Sequence, residues 1–134
     1  MKRFFTLLTI LTISVSVSAQ KGKVGTSVSL VGQITPETMA EIKAAGIDYI
    51  EVTMNNFVRK QPENEVYIKA YQALKHIREA GLKVWSVHLP YSSTWDVSII
   101  DSKKREAAVV FFEEMIRLAG IFEPECLVLH PGAD

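Results

Sequence analysis

The feature that most constrains this chain is a three-residue punctuation that recurs. Ala45-Gly46-Ile47, Ala80-Gly81-Leu82 and Ala119-Gly120-Ile121 each close a helix-like stretch and open a strand-like one, with the glycines 35 and 39 residues apart. A glycine just past a helix takes up the left-handed conformation without a Cβ clash, so it stops the helix and redirects the chain. The spacing is that of one βα unit, the connection parallel strands require.

The stretches between the glycines support this. Thr35-Pro36-Glu37 supplies a cap residue, a proline at the first helical position and an acid at the positive end of a helix carrying Met39 and Ile42 on one face. A second helix is expected from Glu63 to Ala80, with Val66, Ala70, Ala73, Leu74 and Ile77 at helical spacing. A third is expected from Ser102 to Ala119, with Ala108, Phe111, Met115 and Leu118 as its buried stripe. Strands are expected over Thr26–Val31, Asp48–Thr53, Lys83–Leu89 and Cys126–His130. The order β-α-β-α-β-α-β is that of a parallel α/β sheet.

The N-terminal segment lies outside this pattern. Lys2 and Arg3 precede an apolar run, Phe4 to Val17, and Val17-Ser18-Ala19 places small residues before Gln20. This is the pattern of a secretory signal peptide over residues 1–19, giving a secreted or periplasmic protein. The run is shorter than the ~20 residues needed to span a bilayer, so no stable membrane anchor is expected. The leader holds two of the 15 basic residues, so the chain from Gln20 carries 13 basic and 15 acidic residues, net −2. That balance excludes the basic surplus typical of a nucleic-acid binder. A single cysteine, Cys126, excludes an internal disulfide and any multi-cysteine metal site. No glycine-rich phosphate loop occurs.

Side chains alternate along a strand. Alternation puts Trp85, Val87 and Leu89 toward the helices and Val84, Ser86 and His88 on the opposite face. Glu51 opposes Ile50 and Val52, and His130 opposes Leu129. Glu51, His88 and His130 therefore share the face away from the helices, near the C-terminal ends of their strands, where active sites of parallel α/β folds gather. With neighbouring strands ~4.8 Å apart, His88 and His130 can reach one substrate or one metal. Trp95 and Tyr91, in the loop after the third strand, are candidates for an apolar wall or for a rim cover. Trp85, Phe111 and Phe112 read as core, Cys126 as a packing residue and His76 as a solvated surface residue.

Val87-His88-Leu89-Pro90-Tyr91, Trp95-Asp96-Val97-Ser98 and Leu127-Val128-Leu129-His130-Pro131-Gly132 resemble the xylose-isomerase-like (AP-endonuclease-type-2) TIM barrels, and Ile50-Glu51-Val52 resembles that family's second-strand end. The secreted sugar phosphate isomerase/epimerase branch is the most similar, over Val24 to Asp134. The resemblance implies a (β/α)8 barrel of which residues 20–134 hold the first four strands and three helices, the N-terminal half of a fold that takes ~250 residues. It implies metal-assisted proton transfer next to a sugar carbonyl, with Mn, Mg, Co or Zn as cofactor of the complete barrel. The principal catalytic residues then lie beyond Asp134, and these 134 residues alone are expected to be inactive. Glu51, His88, His130 and Trp95 are the expected contacts to a sugar or sugar phosphate, and His88 and His130 are metal ligands in the endonuclease branch. The alternatives are a metal-dependent phosphodiesterase of that branch and a non-catalytic carbohydrate-binding or remnant half-barrel. An open barrel edge is expected to invite self-association.

Overall fold

The computed structural model describes residues 22–30, 32–55 and 63–132. The expected leader, residues 1–19, lies outside them. Four strands, β1 (Gly25–Ser29), β2 (Tyr49–Thr53), β3 (Lys83–His88) and β4 (Cys126–Val128), form one parallel sheet in the order β1-β2-β3-β4. Three helices, α1 (Pro36–Ala44), α2 (Glu63–Glu79) and α3 (Ser102–Ala119), alternate with them. This is the expected α/β order, strand for strand. No helix among the described residues is long and apolar enough to cross a membrane.

Local chemistry sets the helix ends. Thr35 Oγ1 accepts the Thr38 N–H at 3.2 Å and Pro36 occupies the first turn of α1. The carboxyl of Glu37 is held below its ordinary range by its own backbone N–H, then by the Thr35 hydroxyl. Asp101 Oδ1 caps α3, accepting from the N–H groups of Lys103 and Lys104. Gly46 and Gly81 have φ of +82° and +73°. At each, two backbone bonds close the helix: Gly46 to Lys43 and Ile47 to Ile42, then Gly81 to Arg78 and Leu82 to Ile77. Lys43 also pairs with Asp48 at the start of β2 at 2.5 Å, and that hydrogen bond holds the Asp48 carboxyl below its ordinary range.

The third glycine differs. Gly120 is right-handed, and the chain continues through a 3-10 turn, Gly120–Phe122, to Glu123, which takes the left-handed conformation with φ of 50°. The turn carries Phe122 into the core, where it is 2% exposed, so the break comes three residues later than the glycine predicts.

The core lies between the sheet and the helices. Val28, Ile50, Val52, Val84 and Val87 from the strands meet Met39, Ala70, Ile77, Met115 and Leu118 from the helices. In α3 the buried stripe includes Phe112, with Phe111 only partly buried. The sheet corrects two side-chain assignments. Ile50 is opposite Val84 but Glu51 is opposite Ser86, so Trp85 is an extra residue in β3. Such a bulge breaks the alternation. Val84 turns to the helices, and Trp85 turns to the open face, 47% exposed, with its ring edge-on to Tyr49 at 6.0 Å. Trp85 is not core. Cys126 is exposed too: β4 is an edge strand among the described residues, and nothing described covers it. His76 is only partly exposed, with its Nδ1 buried 3.9 Å from Glu79.

Candidate functional site

The face of the sheet away from the helices carries a polar stretch beside the Tyr49–Trp85 pair. Register places Ser27, Glu51, Ser86 and Cys126 in one row across the four strands, and Ser29, Thr53, His88 and Val128 in the next. In the first row Glu51 is held from both sides. Its Oε2 accepts the Ser86 hydroxyl at 2.8 Å and its Oε1 accepts the Ser27 hydroxyl at 3.2 Å. Oε1 also lies 3.7 Å from His88 Nδ1, beyond hydrogen-bond length but within Coulomb reach.

The two histidines meet directly. His88 Nε2 and His130 Nε2 are 2.8 Å apart. Their ring centroids are 4.9 Å apart with planes inclined by 14°. That separation is close to the nitrogen–nitrogen gap plus the two ring radii, so the rings meet edge to edge in nearly one plane. Tyr91 packs against both, 5.8 Å from His88 and 4.7 Å from His130. Its backbone N–H is anchored on Asn55 Oδ1 at 2.9 Å. His130 is placed by its neighbours: Pro131 O accepts the N–H groups of Val97 and Ser98, both at 3.1 Å, which ties the β3–α3 loop to the end of β4.

Glu51, His88 and His130 are thus brought together as alternation predicts. Trp95 is not. It lies flat on Phe111, centroids 3.8 Å apart, and seats its loop on α3. Tyr91 supplies the aromatic wall instead. Ser27 and Ser86 carry a role that sequence reasoning did not assign them. The signal available was the alternation of Ser27 and Ser29 with Val28 and Leu30 along β1 and the residue after it. A cavity of about 480 Å³ opens on the same face toward the N-terminal ends of the strands, lined by Lys23, Tyr49, Trp85 and Glu51. Glu51 joins it to the histidine pair.

A metal does not fit these residues alone. Two nitrogens on one tetrahedral zinc stand roughly 3.3 Å apart, given bonds of ~2.0–2.1 Å. The histidine nitrogens are closer and already hydrogen-bonded, and Glu51 stands behind His88 rather than beside the pair. Among the described residues no three His, Cys, Asp or Glu side chains cluster to hold a metal ion.

The family model described as xylose isomerase-like TIM barrel matches residues 39–134. The chain belongs to that family. Two solved structures share the fold. One is a D-psicose 3-epimerase crystallised in the presence of D-fructose, with a TM-score of 0.60 at 16% identity, covering 77% of this chain and 35% of that one. The other is a xylose isomerase domain protein from Planctomyces limnophilus, with a TM-score of 0.57 at 15% identity, covering 83% of this chain and 41% of that one. The chain therefore spans well under half the length of either. No curated protein matches it. The four-stranded parallel sheet is the barrel-type arrangement of the xylose isomerase-like family, and the histidine pair lies at the end of the strands where such barrels carry their sites.

Proposed function

We propose that this chain forms the sugar-binding N-terminal part of a secreted isomerase or epimerase acting on a sugar or sugar phosphate. The observation that carries the reading is the meeting of His88 and His130, 2.8 Å apart at the C-terminal ends of adjacent parallel strands under Tyr91, in a chain of the xylose isomerase-like family. The structural neighbour named as a D-psicose 3-epimerase lends support to that reading.

In this reading a sugar lies against Tyr91, whose ring covers apolar C–H faces, while an imidazole nitrogen accepts a sugar hydroxyl proton. Glu51 stands at the edge of the pocket and orients His88. Isomerisation and epimerisation both remove a proton from carbon beside a carbonyl, and a divalent metal would supply polarisation of that carbonyl. Ligands for it would come from outside the described residues, so no step here depends on it. The neutral to slightly acidic chain disfavours a polyanionic substrate and with it the endonuclease-type alternative. Secretion rests on the leader pattern of residues 1–19.

The test is a titration of the isotopically labelled chain with D-fructose, other ketohexoses, aldoses and their phosphates, read by amide and imidazole resonances. Saturable shifts at Tyr91, His88 and His130 are expected for at least one sugar. A chain whose resonances respond to a short abasic-site oligonucleotide and to no sugar would overturn the reading.

A further inference from the structure

The row Ser27–Glu51–Ser86 and the pair His88–His130 together bear on where the imidazole protons sit. A nitrogen–nitrogen contact of 2.8 Å holds one proton, so one Nε2 donates and the other accepts. Which one donates is set at the far side of each ring. Behind His88 Nδ1, at 3.7 Å, stands a carboxylate oxygen that two serine hydroxyls, at 2.8 and 3.2 Å, keep in place. A negative charge on that side favours the proton on Nδ1 and leaves Nε2 bare.

We infer that Glu51, clamped by Ser27 and Ser86, positions His88 as the neutral Nδ1–H imidazole that accepts the Nε2–H of His130, leaving His130 Nδ1 as the bare nitrogen offered to a ligand's hydroxyl group. His88 is then a positioning residue. His130, exposed on the surface of the site, is the one that meets the ligand. Only the ligand step rests on the sugar-binding reading; the proton positions do not.

The experiment is long-range proton–nitrogen correlation on the histidine-labelled 134-residue chain at about pH 8, above the usual imidazole range. His88→Asn and His130→Gln assign the signals. In the unsubstituted chain the protons are expected on His88 Nδ1 and His130 Nε2, each favoured about tenfold over the other tautomer, as one nearby carboxylate charge can impose. Glu51→Ala should abolish the preference at His88 while the amide spectrum stays dispersed. Ser86→Ala keeps the carboxylate but loosens it, and should reduce the preference without abolishing it. If the Glu51 variant does not fold, the unsubstituted chain and Ser86→Ala decide. A proton on His88 Nε2 in the unsubstituted chain, averaged signals like those of free imidazole, or tautomers unmoved by Glu51→Ala would overturn the inference. Added D-fructose should move His130 Nδ1 most. Tautomers as assigned, with His130 Nδ1 unmoved by every sugar in the panel, would overturn the ligand step alone.

Discussion

Gly132 sits against Ser98: a Cβ built on Gly132 would stand 3.0 Å from Ser98 Oγ. The hydroxyl cannot simply turn away, because Asp96 Oδ1 accepts both it and the Ser98 N–H. The small residue after His130-Pro131 therefore lets the β3–α3 loop close on the end of β4. Gly132→Ala should cost about 1 kcal/mol, the worth of one displaced hydrogen bond. The same change in a Ser98→Ala background should cost measurably less. Denaturant unfolding of the four members of this cycle checks it, and equal costs in both backgrounds would refute the contact.

The interelement glycines should part company on substitution. Gly81 has φ of +73° and only Lys43 Cε nearby, at 3.8 Å, so Gly81→Ala meets backbone strain rather than a clash and should destabilise by about 1–2 kcal/mol. Gly120 is right-handed with open space at its Cβ position. Gly120→Ala should stabilise by about 0.5–1 kcal/mol, by restricting the unfolded chain. Thermal or denaturant unfolding of both variants reads the opposite signs directly.

Glu114 on α3 accepts a hydrogen bond from the Tyr67 hydroxyl of α2 and another from Arg117 at 2.9 Å. The first, then the second, hold its carboxyl below the ordinary glutamate range. A depressed carboxylate contributes stability that is present above the unfolded value, about 4.3, and is lost as pH falls through the folded one. Tyr67→Phe should move the Glu114 titration upward toward its ordinary value. It should also weaken the acid-side fall in melting temperature. Carbon-detected titration of the side-chain carboxyl is the direct measurement.

The leader proposal predicts a cut between Ala19 and Gln20. Expression with export from a bacterial host should give a chain whose N-terminal sequence starts at Gln20. A product that still begins at Met1 would refute it.

Much of the candidate site was legible because it depends on short-range periodicity. Glu51, His88 and His130 fall on one face wherever alternation holds, and it holds across β2, the end of β3 and on to His130, two residues past the end of β4. What could not be read was which of their neighbours face each other. Ser27 and Ser86 are 24 and 35 residues from Glu51, and only strand register brings them to one carboxylate. Trp95 was legible as a loop aromatic near the site. Its stacking on Phe111 depends on where α3 lies relative to the loop, and no local pattern encodes that.

The sequence by itself determined the order of strands and helices, through the cap at Thr35 and left-handed glycines at 46 and 81, because these act within one turn of backbone. It also determined that Glu51, Ser86 and His88 share the open face, because alternation is a property of neighbouring residues. Tertiary structure alone decided that Trp85 bulges out to the open face and that Glu123 rather than Gly120 turns left-handed. In each case the deciding contact joins residues far apart in the chain. Register between Glu51 and Ser86 and burial of Phe122 are fixed by packing, and packing takes its energy from surfaces that meet only once the sheet has formed.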